Sequence, residues 1–203
     1  MTTVIALTSD KGGVGKSTLA VNLAGALAQQ ANTLLIDEDP IHSCYTWAQR
    51  AHALPMPVVT PAMLEAVSLT QVRYVVVDTE GRPSFADVLE LVRASNIVLV
   101  PCGTSGLEMD ATINLIKRLE EAAADMKKIK VVISKAPPVG YVGQQARDAL
   151  AALGIPVARA VIRHYAAHQR AAEQGLLVAN TTDAKAAQAW HDVLTLSQEL
   201  TAS

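Results

Sequence analysis

Aromatic side chains are almost missing from this chain, at 3% of 203 residues with a single Phe. A core without large rings must come from Val, Ile, Leu and Ala, and 50% of the chain is apolar, enough for a sizeable interior without metal or disulfide staples. That balance suits parallel strands covered on both faces by Ala-rich helices and disfavours a β-sandwich. Cysteine is scarce as well. Cys44 and Cys102 lie far apart, with no CxxC or Cys/His ligand spacing, so the chain is no disulfide scaffold and fits a reducing cytoplasm. Both cysteines read as structural. No sign of charge dominates: a net charge of -2 and a pI near 6.2 argue against coating nucleic acid by bulk electrostatics, so any DNA contact is local. No apolar run approaches the ~20 residues that span a bilayer, and the start of the chain has no signal-peptide pattern. A soluble protein without a membrane partner is expected. No repeat, low-complexity tract or linker divides the chain, which predicts one domain over residues 1–203.

What the chain does contain is alternation. Short apolar runs at residues 4–8, 33–36, 58–59, 74–77, 97–100, 131–133 and 157–162 predict strands. Helical periodicity occupies residues 17–29, 84–94, 111–124, 144–153, 166–174 and 183–200. Strand and helix in turn describe right-handed crossover units, and hence an α/β fold with a mostly parallel, doubly wound sheet between two helical layers. In the last segment Ala187, Trp190, Leu194 and Leu196 recur at helical spacing, with Asp192 and Glu199 among the polar positions. That face is expected to pack into the core, because a membrane-surface helix would carry Lys and Arg beside its apolar stripe.

Chemistry concentrates near the start. Gly12, Gly13, Val14, Gly15 and Lys16 lead from a predicted strand into a predicted helix that opens on Ser17 and Thr18, the context a phosphate loop requires. Glycines let the backbone curl around an anion with its N–H groups inward, and the helix N-terminus adds partial positive charge. Lys16 is placed to hold the β- and γ-phosphates, and the Ser17 hydroxyl to bind magnesium.

With Lys11 in front, the run Lys11-Gly12-Gly13-Val14-Gly15-Lys16-Ser17-Thr18 resembles the deviant Walker A motif of the ParA/MinD ATPases. The likeness is closest to short ParA-type partition ATPases without an N-terminal DNA-binding domain. In that family a signature lysine, here at position 11, reaches across a dimer interface to the partner's nucleotide. The resemblance therefore implies a homodimer that forms on ATP binding, with ATP and Mg2+ as cofactors. A cation supplied in trans ties turnover to assembly, as an arginine finger does.

Two acidic strand ends extend the likeness. Asp37-Glu38-Asp39-Pro40 after an apolar run is similar to the family's Asp-x-Asp-Pro motif, which implies that Asp39 orients the attacking water near the magnesium shell and that Asp37 supports the metal region. Tyr74-Val75-Val76-Val77-Asp78 has the form of a Walker B segment: Asp78 is expected to hold magnesium through water, and Gly81 to let a second switch swing toward the γ-phosphate. Glu80 receives no role. The turn Val100-Pro101-Cys102-Gly103 also resembles the family's, but prolines and glycines at a strand end explain it equally well.

Between Asp148 and Glu173 the chain has no acidic residue, while Arg159, Arg163 and Arg170 fall inside. The resemblance puts nonspecific DNA contacts near here, with Arg163 and Arg170 as candidates, although three arginines are a small footprint. Ser134-Lys135-Ala136-Pro137 departs from the family's usual base-contacting pattern. The function implied is an ATP-dependent partition or positioning ATPase, cytoplasmic and nucleoid-associated when ATP-bound. An adaptor or centromere-binding protein would stimulate hydrolysis; the cargo is a plasmid, a chromosome region or a large protein assembly. Two alternatives are a MinD-like membrane-associated protein and a metabolic P-loop enzyme acting on a small molecule.

Overall fold

A computed structural model describes residues 2–202. The chain alternates β1 (Thr3–Leu7), α1 (Lys16–Ala28), β2 (Thr33–Asp37), α2 (Ser43–Ala51), β3 (Val58–Val59), β4 (Tyr74–Asp78), α3 (Phe85–Ala94) and β5 (Ile97–Cys102). It continues through α4 (Gly106–Glu121), β6 (Ile129–Ala136), α5 (Val142–Ala152), β7 (Val157–Arg163), α6 (Ala166–Gln174) and α7 (Ala186–Thr201). The seven strands form one sheet in the order β3-β2-β4-β1-β5-β6-β7, and every pairing is parallel. Each predicted strand is present, and the sheet is the doubly wound one that alternation implies.

Side chains alternate across that sheet. Ile5 and Leu7 point into one core with Leu19, Leu23 and Leu27 of α1, while Ala6 between them joins Leu34, Ile36, Val75 and Val77 on the other face. A further cluster sets Val98, Val100, Val131 and Ile133 against Val88, Val92, Leu115 and Leu119 of α3 and α4. Both faces are thus covered, as a parallel sheet requires. Since all strands run the same way, their carboxyl ends and the loops that follow collect at one edge, around central β1.

Two expectations need correction. Residues 43–51 carry no predicted helix, yet α2 is there, short and polar, burying only Cys44 and Trp47. Trp47 holds it in place by donating its indole N–H to the Leu176 carbonyl at 3.0 Å. The core face of α7 is also rotated. Ala186, Ala189, Val193, Leu196 and Leu200 are the apolar residues buried there, not Ala187, Trp190 and Leu194. Asp192, expected among the polar positions, is buried because it is the counterion of Arg163. The helix packs on β7 and α1. Among the described residues no helix is long and apolar enough to cross a membrane.

Candidate nucleotide-binding site

The loop between β1 and α1 depends on glycine where its backbone turns left-handed, with φ of 80° at Gly13 and 88° at Gly15. Gly15 is the N-cap of α1, so the helix begins at Lys16 and aims its free amides into the loop. Gly12 and Gly13 are exposed, Ser17 and Thr18 half-buried, and Val14 anchors the loop in the interior.

Lys16 turns inward. Its side chain is 7% exposed and its Nζ donates to Asp78 Oδ1 at 2.7 Å and to the Thr79 carbonyl, with Asp39 Oδ2 at 4.0 Å. Register brings the acids together: Asp37 of β2 lies directly opposite Asp78 of β4 in the parallel ladder. Asp37 accepts the Tyr45 amide at 2.8 Å and the Asp39 amide at 3.2 Å, which pins the first turn of α2 back onto β2. Burial pushes the Asp37 carboxyl above its ordinary value; the Tyr45 bond pulls against that, and the neighbouring Asp78 charge adds to the rise. Asp39 is half-buried and accepts the Ile41 amide at 2.9 Å.

Cys44 completes this cluster. Its Sγ is 3.2 Å from Asp78 Oδ2, and one ligand atom from each of Asp37, Cys44 and Asp78 lies within 4.8 Å of the others. Burial, then the charges of Asp78 and Asp37, drive the thiol well above its ordinary range, so it is a buried S–H donor and no nucleophile.

Beside the loop opens a cavity of about 330 Å³, lined by Gly15, Thr18, Ser134, Lys135, Arg163 and His168 among others. Lys135 has a φ of 53° and donates its Nζ to the Gly13 carbonyl at 2.5 Å. Both ring nitrogens of His168 are buried, and burial lowers its pKa, with Asp192 and a backbone hydrogen bond to Arg163 pulling up and His164 pushing down.

Lys16, Asp37, Asp39 and Asp78 therefore meet, whereas other expected residues stand apart. Lys11 donates to the Leu107 carbonyl at the start of α4, at 2.6 Å. Gly81 is exposed, and the left-handed residue of its loop is Arg82, at a φ of 80°. Arg163 forms a two-pronged pair with Asp192, at 2.6 and 2.9 Å, and Arg170 reaches Asp183 at 2.7 Å. The interval without acids is thus acid-free along the chain only: α7 and the residues before it fold their carboxylates back onto both candidate DNA contacts. Sequence reasoning gave Cys44, Lys135 and His168 no role in the site, although Lys135 lies in the segment it compared with the family's base-contacting pattern. Cys44, Trp47 and Ala48 at helical spacing were the available signal for the first.

A phosphate-type loop at the carboxyl edge of a parallel sheet, facing acidic ends of the two strands beyond it, defines a P-loop nucleotide-binding protein. Residues 5–178 match the model of the CobQ/CobB/MinD/ParA nucleotide binding domain, and the chain belongs to that family. It is 34% identical over 204 residues to "Maintenance of carboxysome distribution protein A" of Gloeobacter kilaueensis, covering 97% of this chain and 93% of that one. The protein of the same name from Halothiobacillus neapolitanus is 24% identical over 184 residues, covering 86% and 85%. An ATP complex of McdA from Cyanothece superposes with a TM-score of 0.74 at 16% identity, over 98% of this chain and 96% of that one.

Proposed function

We propose that the protein is a magnesium-dependent positioning ATPase that dimerises on ATP and distributes a large cargo with the help of an adaptor. The observation that carries this is the convergence of Lys16, Asp39 and Asp78 at the sheet edge, within 4.0 Å of the Lys16 ammonium. The relatives named for carboxysome distribution favour a protein assembly over a plasmid as the cargo. Nonspecific DNA remains the proposed surface on which the ATP-bound dimer rests; contact through Arg163 or Arg170 would require their pairs with Asp192 and Asp183 to open.

The donor set fits magnesium: carboxylate oxygens of Asp39 and Asp78 and the hydroxyl of Ser17 are hard ligands, and Asp78 is fully buried. Bound there, the ion would neutralise charge between the β- and γ-phosphates. The loop amides and α1 N-terminus orient the triphosphate, and Lys16 leaves Asp78 to grip it. Asp39 holds the attacking water in line by accepting its hydrogen. Lys11 leaves Leu107 and carries its charge to the second copy, so that hydrolysis waits for assembly. The cavity at Ser134 and His168 is of a size to hold the nucleoside.

Asp39→Ala tests this reading. The variant is expected to bind ATP, to lose turnover by at least about a hundredfold, as removal of a water-positioning group does, and to accumulate as a dimer in size-exclusion chromatography with ATP. Hydrolysis at the wild-type rate would assign the water to another group. ATP turnover that depends on a metabolite, and not on an adaptor, would move the protein to the small-molecule enzymes of the fold.

A further inference from the structure

The two oxygens of Asp78 have different partners. Oδ1 takes the Lys16 ammonium at 2.7 Å, and Oδ2 takes the Cys44 thiol at 3.2 Å. Cys44 has no exposed surface, and its Sγ also lies 3.7 Å from the carbonyl of Ser17. It is the second residue of α2, whose first turn is tied to β2 through Asp37 and the Tyr45 amide. One side chain of α2 therefore touches both the Walker B carboxylate Asp78 and Ser17, the residue that presents the metal-facing hydroxyl.

This arrangement matters when Lys16 moves. An ammonium drawn to the phosphates leaves Asp78 Oδ1 without its partner, and a buried carboxylate held on neither side is free to rotate about its last torsion. A donor fixed on Oδ2 removes that freedom. A cysteine serving as filler would need only apolar neighbours, whereas here the sulfur faces a carboxylate oxygen and a carbonyl.

We propose that Cys44 is a positioning residue: its thiol clamps Oδ2 of Asp78 so that Oδ1 stays directed at the magnesium shell after Lys16 has gone, and it makes that alignment depend on the seating of α2. The inference rests on the reading of Asp78 as a magnesium carboxylate. It assigns a function to a residue that carries no motif.

The test is a magnesium titration of protein loaded with a fluorescent, non-hydrolysable ATP analogue, followed by emission and so independent of turnover. Cys44→Ala should raise the half-saturating magnesium concentration about fivefold, the effect of losing one modest hydrogen bond. Cys44→Ser, which keeps a donor, should stay within about twofold of wild type. Affinity for the analogue in excess chelator should be the same in all three. Should Cys44→Ala fail to fold, Cys44→Val, similar in size and without the donor, takes its place. An unchanged magnesium response in the alanine variant overturns the clamp, as does a serine variant as weak as alanine, or a parallel loss of affinity in chelator, which would mean packing alone. Asp78→Asn separates the two levels: if it leaves the magnesium response intact, Asp78 is not the metal carboxylate; if it weakens the response while Cys44→Ala does not, only the clamp fails.

Discussion

Lys16 is the most constrained residue of the site, because its ammonium is paired with the fully buried Asp78 and also donates to the Thr79 carbonyl. Lys16→Ala should abolish ATP binding, and an unchanged affinity in a calorimetric titration would remove the residue from the site. The nucleotide-free variant should also lose about 3 kcal/mol of stability in urea, since a buried charge loses its counterion. His168 offers a pH test. Its folded pKa lies below the ordinary 6.5, so the unfolded imidazole binds a proton that the folded one refuses. Stability is therefore lost as pH falls through 6.5 toward the lower folded value. His168→Gln should melt at more nearly the same temperature at pH 7.5 and about 5.5 than wild type does; equal slopes would show that other groups set the acid response. At this scale contiguity decided what was legible. The loop, Asp39 and Asp78 stand in short motifs, and the fold brings the last two to Lys16. His168 and Lys135 reach the same cavity from α6 and the end of β6, and Cys44 comes in on α2, so only tertiary structure brings them together.

Among the elements, α2 is the one whose position matters most to the site. Its far end rests on Gly175, where a methyl group would lie 2.7 Å from the Ala51 nitrogen and the backbone is left-handed at φ 70°. Gly175→Ala should cost about 2–3 kcal/mol, by strain and overpacking together, and should push α2 outward, breaking the Trp47 bond to Leu176. Urea denaturation reads the first and tryptophan emission the second; wild-type values for both would mean that the contact relaxes without cost. Strands were the most legible elements, since most are compact Val/Ile/Leu runs; β7, interrupted by Ala158, Arg159 and Ala160, carries the weakest signal. The missed helix is the exception: α2 is nine residues long and buries only Cys44 and Trp47, so the helical spacing of Cys44, Trp47 and Ala48 is too short a stripe to stand out from a loop. The turned face of α7 has a different cause. Burial of Asp192 is dictated by Arg163 on β7, a partner 29 residues away that spacing within the helix cannot reveal.

For the whole molecule, the test is assembly. Lys11 in this chain is bonded to its own Leu107, so a role in trans requires it to exchange an internal carbonyl for the second copy's phosphates. Lys11→Ala is expected to retain ATP within about threefold, because the loop amides and Lys16 remain, and to elute as a monomer with the non-hydrolysable analogue. A dimer of wild-type stability would show that another contact carries the association. Fold class was legible because composition, alternation and loop context all pointed the same way; partners and cargo leave no comparable trace in one chain.

The bridge between Lys16 and Asp78 has a thermodynamic corollary. Anything that captures the ammonium alone strands a buried carboxylate, and anything that captures the carboxylate alone strands a buried ammonium. Triphosphate and divalent ion are therefore expected to bind with positive cooperativity, each tightening the other's hold by the same factor.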